Sequence, residues 1–417
     1  MSKYYFQCIN CSKVYEPEIP MYLCPECEKE NTTDKPPKGV LKTEYHYDRI
    51  RQKYKGRNLF ENLIQNKLLD IFPVESLENF PPLRIGQTPL YRYTGLDGEK
   101  FDFELFLKDD SQNPTFSYKD RASSLVSAVA KEQSIQKIAT ASTGNAGSSI
   151  AGICASQNQK AIVFVPASTP IAKLIQIILY GAKLIPVEGT YDQAFDLCVE
   201  VSRKFGWLNR NTAYNPFTIE GKKTASFELF NDLGQILPDH IFVPTGDGVI
   251  ISGIYKGFEE LMNLTVTKSM PKIVAVQAQN SSNLIRNLNT PSFISKHGST
   301  IADSIAVNIP RNYYMAAGFI KKYSGETCLV SDEEILAGAA KLARVTGIFS
   351  EPAAAAAFAG FEKFKTSGKI LKDEKAVILS TGSGLKDIKA HQKRLNIPEP
   401  IKPDIDSFTR AFKKKLL

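Results

Sequence analysis

Short apolar runs alternate with helical stretches from about residue 82 onward. The runs are nearly continuous and rich in Val and Ile, which is typical of strands buried on both faces of a parallel sheet. They occupy residues 138–141, 161–165, 241–243, 273–276 and 376–379. Segments with helical periodicity, such as residues 120–132 and 351–364, lie between them. This order predicts an α/β fold with mostly parallel sheets covered by helices.

Composition narrows the class of protein without identifying it. A hydrophobic content of 43% and a charged content of 23% are ordinary for a globular chain. The sequence contains no run of about 18 apolar residues, so we expect no membrane span. Its start lacks a charged segment followed by an apolar one, so we expect a cytoplasmic protein. Residues 30–45 are polar and contain prolines, which indicates a linker.

The net charge of +8 raises the question of a nucleic-acid partner. Lys and Arg are spread along the chain, and the one dense run is Lys413, Lys414 and Lys415 near the C-terminus. Such a run is more often a solvated tail, so we expect no nucleic-acid partner. Anionic substrates and an anionic cofactor would also suit a basic protein.

Four cysteines in the first 27 residues form two Cys-x2-Cys motifs, Cys8-x2-Cys11 and Cys24-x2-Cys27. Each motif can direct two sulfurs to one ion, and two motifs together give tetrahedral coordination by four thiolates. The spacing therefore predicts a zinc-ribbon-like knuckle with a structural zinc, because four thiolates leave no open position for chemistry. A metal-free knuckle and a pair of disulfides remain the alternatives, and disulfides are less expected in the cytoplasm.

Two loops with candidate chemistry lie where helices begin. Lys119 follows a Pro/Thr/Ser turn and precedes an amphipathic helix, so the helix dipole and partial burial would lower its pKa and favour a neutral amine. A lysine in this position is otherwise most often a surface residue. In the second loop, Ser142 and Thr143 precede Asn145 and Ala146 between two glycines, which suits a substrate carboxylate. A polar helix cap would give the same pattern.

Two further loops follow strands near the middle and the end of the chain. Gly246 and Gly248 form a candidate backbone nest for a phosphate, together with Asp247, Val249 and Ile250 at the start of the next helix. The loop matches neither the Walker pattern nor the dinucleotide fingerprint, and two glycines alone are a weak signal. Thr381 could bond a ring nitrogen without protonating it, or could belong to an ordinary polar turn.

The order of these loops resembles the threonine synthases, which belong to the tryptophan-synthase-β-like fold type II of pyridoxal-phosphate (PLP) enzymes. The resemblance covers about residues 80–390, and an N-terminal cysteine knuckle occurs in some members. The matching motifs are Gly86-Gln-Thr-Pro-Leu90, Asn113-Pro-Thr-x-Ser-x-Lys119-Asp-Arg, Ser142-Thr-Gly-Asn145, Gly221-x-Lys-Thr224, Ser331-Asp-Glu-Glu334, Gly347-Ile-Phe-x-Glu-Pro352 and Thr381-Gly-x-Gly-Leu-Lys386.

The resemblance implies a role for each loop. Lys119 would hold the cofactor as a Schiff base and move protons at the substrate carbons. Asn145 would bond the 3-oxygen of the cofactor, and Thr381 would face its pyridine nitrogen. The cofactor phosphate would lie on Gly246, Asp247, Gly248, Val249 and Ile250. Ser142, Thr143 and Ala146 would bind the α-carboxylate of an amino-acid substrate, with Asn215 and Lys222 as further substrate ligands.

The resemblance also implies a division into domains. We expect a knuckle at 1–30, a linker and N-terminal helices at 31–80, and a small mobile domain at 122–215. Residues 81–121 and 216–417 would form the large PLP-binding domain. We expect a homodimer by analogy with the superfamily.

Two departures from the family pattern bear on the substrate. The cofactor phosphate loop contains Asp247, which places a carboxylate beside a dianion. The family carries an arginine in Asn-Pro-x-Arg-x-Glu-Gly to bind the substrate phosphate, whereas this chain has Thr218. If residues 218–232 are helical, Lys222 lies one turn from Thr218 on the same face. Lys222, Arg210 and Arg311 are therefore candidates for the missing charge, although Lys222 could equally be a solvated helix lysine.

Three functions follow from these observations. The leading one is PLP-dependent threonine synthase, a lyase that converts O-phospho-L-homoserine and water to L-threonine and phosphate. The first alternative is another fold type II reaction, such as threonine or serine dehydration or β-replacement. A zinc-ribbon nucleic-acid-binding or scaffolding protein on an inactive fold is the second alternative, and the intact Lys119 argues against it.

Overall fold

A computed structural model describes residues 2–392 and 397–416, and the side chains of 412–416 lie outside that description. The interpretation of the Lys413 to Lys415 run as a solvated tail depends on side chains outside that description. Among the described helices, none has the length and apolar character needed to cross a membrane.

Thirteen strands occur in the described part of the chain. They are β1 (Tyr4–Cys8), β2 (Val14–Tyr15), β3 (Leu41–Tyr45), β4 (Leu90–Leu96), β5 (Glu99–Asp109), β6 (Lys137–Ala141), β7 (Lys160–Pro166), β8 (Lys183–Val187), β9 (Leu208–Asn209), β10 (His240–Pro244), β11 (Lys272–Ala278), β12 (Glu326–Val330) and β13 (Lys375–Ser380). The five apolar runs lie inside β6, β7, β10, β11 and β13, so these five predicted strands are confirmed.

Fifteen α-helices occur in the same described residues. They are α1 (Tyr47–Lys53), α2 (Leu59–Gln65), α3 (Lys119–Glu132), α4 (Asn145–Ser156), α5 (Ile171–Leu179), α6 (Tyr191–Phe205), α7 (Phe217–Lys222), α8 (Thr224–Asp232), α9 (Val249–Asn263), α10 (Asn283–Arg286), α11 (Tyr313–Lys322), α12 (Asp332–Thr346), α13 (Pro352–Thr366), α14 (Ile388–Gln392) and α15 (Ile405–Leu416). The predicted helices at 120–132 and 351–364 are confirmed as α3 and α13, and the stretch 218–232 forms α7 and α8 with a break at Lys223.

Two parallel sheets organise the chain from β4 onward. The larger has the strand order β12-β11-β10-β13-β5-β4, with β4 as its only antiparallel member among the described strands. The smaller has the order β8-β7-β6-β9 and is parallel throughout. Its strands come from residues 137–209, between β5 and β10 of the larger sheet. The predicted α/β class with mostly parallel sheets is confirmed, while the domain boundaries stay a prediction.

A separate antiparallel sheet, β2-β1-β3, forms near the N-terminus. β3 pairs with β1 over its whole length, from Tyr4 opposite Tyr45 to Cys8 opposite Leu41. The prediction of a linker at 30–45 is therefore wrong for Leu41–Tyr45. The strand was missed because its partner lies far upstream and the prolines before it indicated a flexible segment.

Candidate active site

Four loops meet at the carboxyl ends of the parallel strands. Backbone hydrogen bonds join the segment before Lys119 and the residue before α13 to the loop after β13. Tyr118 N donates to Thr381 O at 2.9 Å, Ser383 N to Phe116 O at 3.1 Å, and Glu351 N to Gly382 O at 3.0 Å. Ligand sites of open α/β folds usually lie at this edge of the sheet. The predicted loops around Lys119, Gly246 and Thr381 follow β5, β10 and β13 of the larger sheet, and the loop around Asn145 follows β6 of the smaller sheet.

Lys119 is the first residue of α3 and lies half-buried behind the fully buried ring of Tyr118. Burial lowers the pKa of Lys119, and the neighbouring Arg210 lowers it further. The carboxylates of Asp247 and Glu351 oppose this effect by raising the pKa. The net direction favours the neutral amine that a nucleophilic lysine requires.

Asn145, the first residue of α4, faces a carboxylate that no sequence argument had assigned a role. Its Nδ2 donates to Oε1 and Oε2 of Glu351 at 3.0 and 2.9 Å. Burial raises the pKa of Glu351, while Asn145 and Lys119 lower it. A Cβ at Gly382 would lie 2.6 Å from Glu351 Oε1, so only glycine leaves room for the carboxylate there. The motif containing Glu351 had been noticed, but spacing gave no hint of its partner.

The loop after β6 borders a cleft of about 450 Å³. Ser142 is buried and its Oγ accepts a hydrogen bond from Gly144 N at 3.3 Å, whereas Thr143 and Ala146 are partly exposed. Thr143, Asn145 and Glu351 are among the residues that line the cleft. Its volume is within the range of small-molecule sites.

Lys386 closes one side of this cleft and was not predicted as a site residue. Its Nζ donates to Ser148 Oγ at 2.7 Å and to Gln176 Oε1, so it connects the loop after β13 with α4 and α5. Burial lowers the pKa of Lys386 to about 8, and Glu351 and Asp120 act in the opposite direction.

The loop after β10 forms a tight turn at the start of the 15-residue helix α9. Gly248 has φ +89°, and a Cβ at Gly246 would lie 2.9 Å from Ile305 Cα, so both positions need glycine. Asp247 turns back onto the loop, where its Oδ1 accepts from Val249 N at 3.0 Å. Asn312, which sequence reasoning missed, supports the turn through its backbone N, which donates to Asp247 O at 3.0 Å.

Arg210 follows β9 and is completely buried. Its Nε donates to Ser123 Oγ at 3.1 Å and its Nη1 to Thr212 Oγ1 at 2.9 Å. Its Nη2 has no hydrogen-bond partner in the described structure. Burial lowers the pKa of Arg210 to about 10, although Asp247 counteracts this effect.

Lys222 is also completely buried, so its interpretation as a solvated helix lysine is wrong. The helix α7 is covered by α3 and α9, and the side chain cannot reach water. Its Nζ has no hydrogen-bond partner among the described residues. Burial lowers the pKa of Lys222 well below its usual value, and the nearby Lys119 lowers it further.

The remaining predicted substrate ligands have protein partners. Asn215 Nδ2 donates to Asn209 O at 2.7 Å, and its Oδ1 accepts from Phe217 N at 2.9 Å, so the side chain is engaged in its own turn. Its role as a substrate ligand stays a prediction. Arg311 donates to Asp192 Oδ1 at 2.7 Å and its guanidinium lies over the ring of Phe195. Of the three candidate cations, Arg210 and Lys222 retain unpartnered atoms.

The four N-terminal cysteines converge at a second location. Their sulfurs all lie within 4.8 Å of one another, with Cys8 and Cys27 at 3.8 Å and Cys11 and Cys24 at 3.7 Å. Four sulfurs at about 2.3 Å from a tetrahedral zinc would be about 3.8 Å apart, so this arrangement fits the metal. The distances are far longer than a disulfide bond of about 2.05 Å.

Comparison with known proteins agrees with this geometry. Residues 82–382 match the family model described as pyridoxal-phosphate dependent enzyme. The chain is 33% identical to the threonine synthase of Methanocaldococcus jannaschii over 98% of this chain and 99% of that one. It is also 33% identical to the threonine synthase of Halalkalibacterium halodurans, over 78% of this chain and 91% of that one.

Solved structures share the fold at lower identity. The processed form of threonine deaminase isoform 2 from Solanum lycopersicum superposes with a TM-score of 0.65 at 21% identity, over 90% of this chain and 96% of that one. Maize serine racemase superposes with a TM-score of 0.62 at 22% identity, over 74% of this chain and 91% of that one. These two structures show the fold. The family match and the near full-length identity to threonine synthases show that the chain belongs to the threonine synthase family of pyridoxal-phosphate dependent enzymes.

Proposed function

We propose that the protein is a threonine synthase that converts O-phospho-L-homoserine and water to L-threonine and inorganic phosphate. The observation that carries the proposal is the half-buried Lys119, whose amine has a lowered pKa and lies near Asp247 and Glu351 from two other loops. It occurs in a chain that is 33% identical to a threonine synthase along almost its full length.

The residues present fit pyridoxal 5'-phosphate. Lys119 supplies an amine with a lowered pKa for covalent attachment. The glycine turn before α9 offers backbone amides at a helix N-terminus, where a phosphate is favoured. The residues proposed to hold the cofactor are Lys119, Asn145, Gly246, Asp247, Gly248, Val249, Ile250 and Thr381. When bound, the cofactor withdraws electrons from the substrate's α-carbon.

The chain's own residues supply binding and proton transfer. Lys119 moves protons at the substrate carbons, because a single mobile amine on one face can serve successive steps. The loop of Ser142, Thr143 and Ala146 binds the α-carboxylate with hydroxyl and backbone donors at the start of α4. Asn215 and Lys222 contribute to the remaining part of the substrate site.

We further propose one structural zinc on Cys8, Cys11, Cys24 and Cys27. The support is the sulfur spacing, which fits a tetrahedral site with four thiolates. We retain the expectation of a cytoplasmic homodimer by analogy with the family. Light scattering of the purified protein measures the oligomeric state.

Product analysis tests the proposed reaction. The purified protein with added cofactor is incubated with O-phospho-L-homoserine, and inorganic phosphate and L-threonine are measured together. We expect both products in equal amounts. Ammonia and a keto acid from L-threonine, without phosphate release from phosphohomoserine, would instead identify a dehydratase and overturn the proposal.

A further inference from the structure

Two buried cations near Lys119 have donor atoms without partners. Lys222 and Arg210 are each fully buried, and Lys222 Nζ and Arg210 Nη2 make no hydrogen bond within the described structure. An unpaired buried charge is costly, and buried donors are nearly always satisfied. Two such donors in one region indicate a site that is completed by a ligand.

The adjacent lysine, Lys223 at the break between α7 and α8, shows what a structural role looks like. Lys223 is equally buried, but its Nζ donates to Ile71 O and Glu220 at 2.6 Å and to Glu260 at 2.9 Å. Lys222 has no such set of partners, although it belongs to the same helix turn. The fold therefore gives the amine of Lys223 a complete set of partners and leaves the adjacent amine of Lys222 without one.

Both open cations are held firmly by other contacts. Hydrogen bonds to Ser123 and Thr212 fix Nε and Nη1 of Arg210, so Nη2 is the guanidinium nitrogen that remains without a partner. The backbone of Lys222 is fixed because Tyr118 Oη donates to Lys222 O at 2.6 Å. Since Tyr118 precedes Lys119, this bond couples the position of Lys222 to that of the proposed catalytic amine. Preorganised donors of this kind suit a specific ligand.

We propose that Arg210 Nη2 and Lys222 Nζ together form the binding site for the phosphate of the substrate, a dianionic phosphoryl group. This inference rests on the proposed function. Thr218, where the family pattern has arginine, is buried and its Oγ1 donates to Asn215 O at 2.8 Å, so it supplies no charge. The pair Arg210 and Lys222 replaces one bidentate arginine by two cations on different elements, the loop after β9 and the end of α7.

The charge balance favours a dianion over a carboxylate. Asp247 is the carboxylate that acts on both Arg210 and Lys222, and Lys119 adds a third basic group. Asp247 is already engaged by Val249 N. A phosphoryl dianion would supply the missing negative charge, and its oxygens would accept from both open donors. The cofactor's own phosphate has a separate proposed site at the start of α9.

The first experiment separates ligand binding from a structural role. Holoenzyme is melted with and without inorganic phosphate, the probe for the subsite. We expect phosphate to raise the melting temperature of the wild type, because it binds only the folded state. Lys222→Met and Arg210→Gln should abolish that increase. Without phosphate, Lys222→Met should melt no lower than the wild type, whereas Lys223→Met should melt clearly lower.

Kinetics then distinguishes the substrate's phosphate from the rest of the substrate. Each variant should raise the KM for O-phospho-L-homoserine and the inhibition constant of phosphate by about 10- to 100-fold, the usual range for a charged hydrogen bond. Binding of L-threonine, which lacks the phosphate, should not change. Lys321→Met, at an exposed position of α11, is the matched control and should behave as the wild type.

Three results would overturn the proposal. They are unchanged phosphate affinity in both variants, an equal loss of L-threonine affinity, or a loss of cofactor affinity with phosphate inhibition intact. The last would assign the two cations to the cofactor's phosphate. If the wild type consumes no phosphohomoserine but phosphate binding still depends on both residues, the subsite stands and the proposed function fails.

Discussion

Replacing Gly221 by alanine should destabilise the protein and impair its activity together. A Cβ at Gly221 would lie 2.1 Å from Arg121 O, 2.7 Å from Arg121 C and 2.8 Å from Ala122 Cα. All three atoms belong to the backbone of α3. They cannot move aside as a flexible side chain could, so α3 and α7 must separate.

The size of the effect follows from these distances. Carbon contacts are normally about 3.5 Å or longer, so the helices would have to part by about 1 Å. Overpacking of this kind costs about 1–3 kcal/mol, and a backbone clash belongs at the upper end of that range. Alanine regains about 1 kcal/mol of helix propensity. The net loss of unfolding free energy should therefore be about 2 kcal/mol.

The same displacement should reach the site, because α3 begins at Lys119 and α7 ends at Lys222. A shift of about 1 Å between reacting groups can lower the rate about 100-fold. We therefore expect a fall of this order in kcat/KM for the activity measured by phosphate release.

Urea denaturation and steady-state kinetics check both expectations. Gly318→Ala is the matched control, because Gly318 is exposed within α11 and a Cβ there would meet nothing within 4 Å. In that variant the free energy of unfolding should increase by up to about 1 kcal/mol, and the activity should equal that of the wild type. If Gly221→Ala proved as stable and as active as Gly318→Ala, the argument from close helix packing would be refuted.

Three further variants test other parts of the protein. Lys119→Ala should remove the visible absorption band of the lysine-bound cofactor and all turnover, and a band that borohydride reduces onto another lysine would contradict the assignment. Cys8→Ser combined with Cys11→Ser should lose about one zinc per chain, measured by metal analysis, while most of the cofactor stays bound; reduced wild type without metal would contradict this. The pKa of Lys386 is lowered to about 8, so between pH 8 and 10 the unfolded state binds more protons and stability rises with pH. Urea titrations of the wild type should show that its free energy of unfolding rises by about 2–3 kcal/mol between pH 8 and 10. Lys386→Met should lack this rise, and an equal pH dependence in the variant and the wild type would contradict the assignment.

Strands buried on both faces were predictable, whereas those defined by distant partners were not. The run at 241–243 is apolar at every position, and β10 lies at the centre of its sheet between β11 and β13. By contrast, β3 has three consecutive polar residues, Lys42 to Glu44, and is identified only by its pairing with β1. Pairing across such a separation leaves no local signal in the sequence, which is why prolines nearby outweighed the pattern.

The site was predictable as a set of loops, but not as a set of contacts. Motif order brought Lys119, Asn145 and the glycine turn before α9 into one hypothesis, and the structure brings their loops together from the strand ends of two sheets. Nothing in the spacing could show that Asn145 bonds Glu351, since 206 residues separate them. Helical periodicity placed Thr218 and Lys222 on one face, but could not show that α3 and α9 cover it.

The burial of α7 also explains what the N-terminal cysteine knuckle contributes to the enzyme. Phe6 of β1 lies 5.7 Å from Phe217 between ring centroids, and Tyr45 Oη of β3 donates to Glu220 at 2.7 Å. The knuckle also reaches β9, because Asn209 N donates to Tyr22 Oη at 2.7 Å, and Asn209 directly precedes Arg210. The three-stranded sheet therefore packs on α7, and the knuckle supports the strand end that leads into Arg210. The N-terminal module can therefore influence the active site without supplying chemistry of its own. It packs on α7, which ends at Lys222, and on β9, which leads into Arg210.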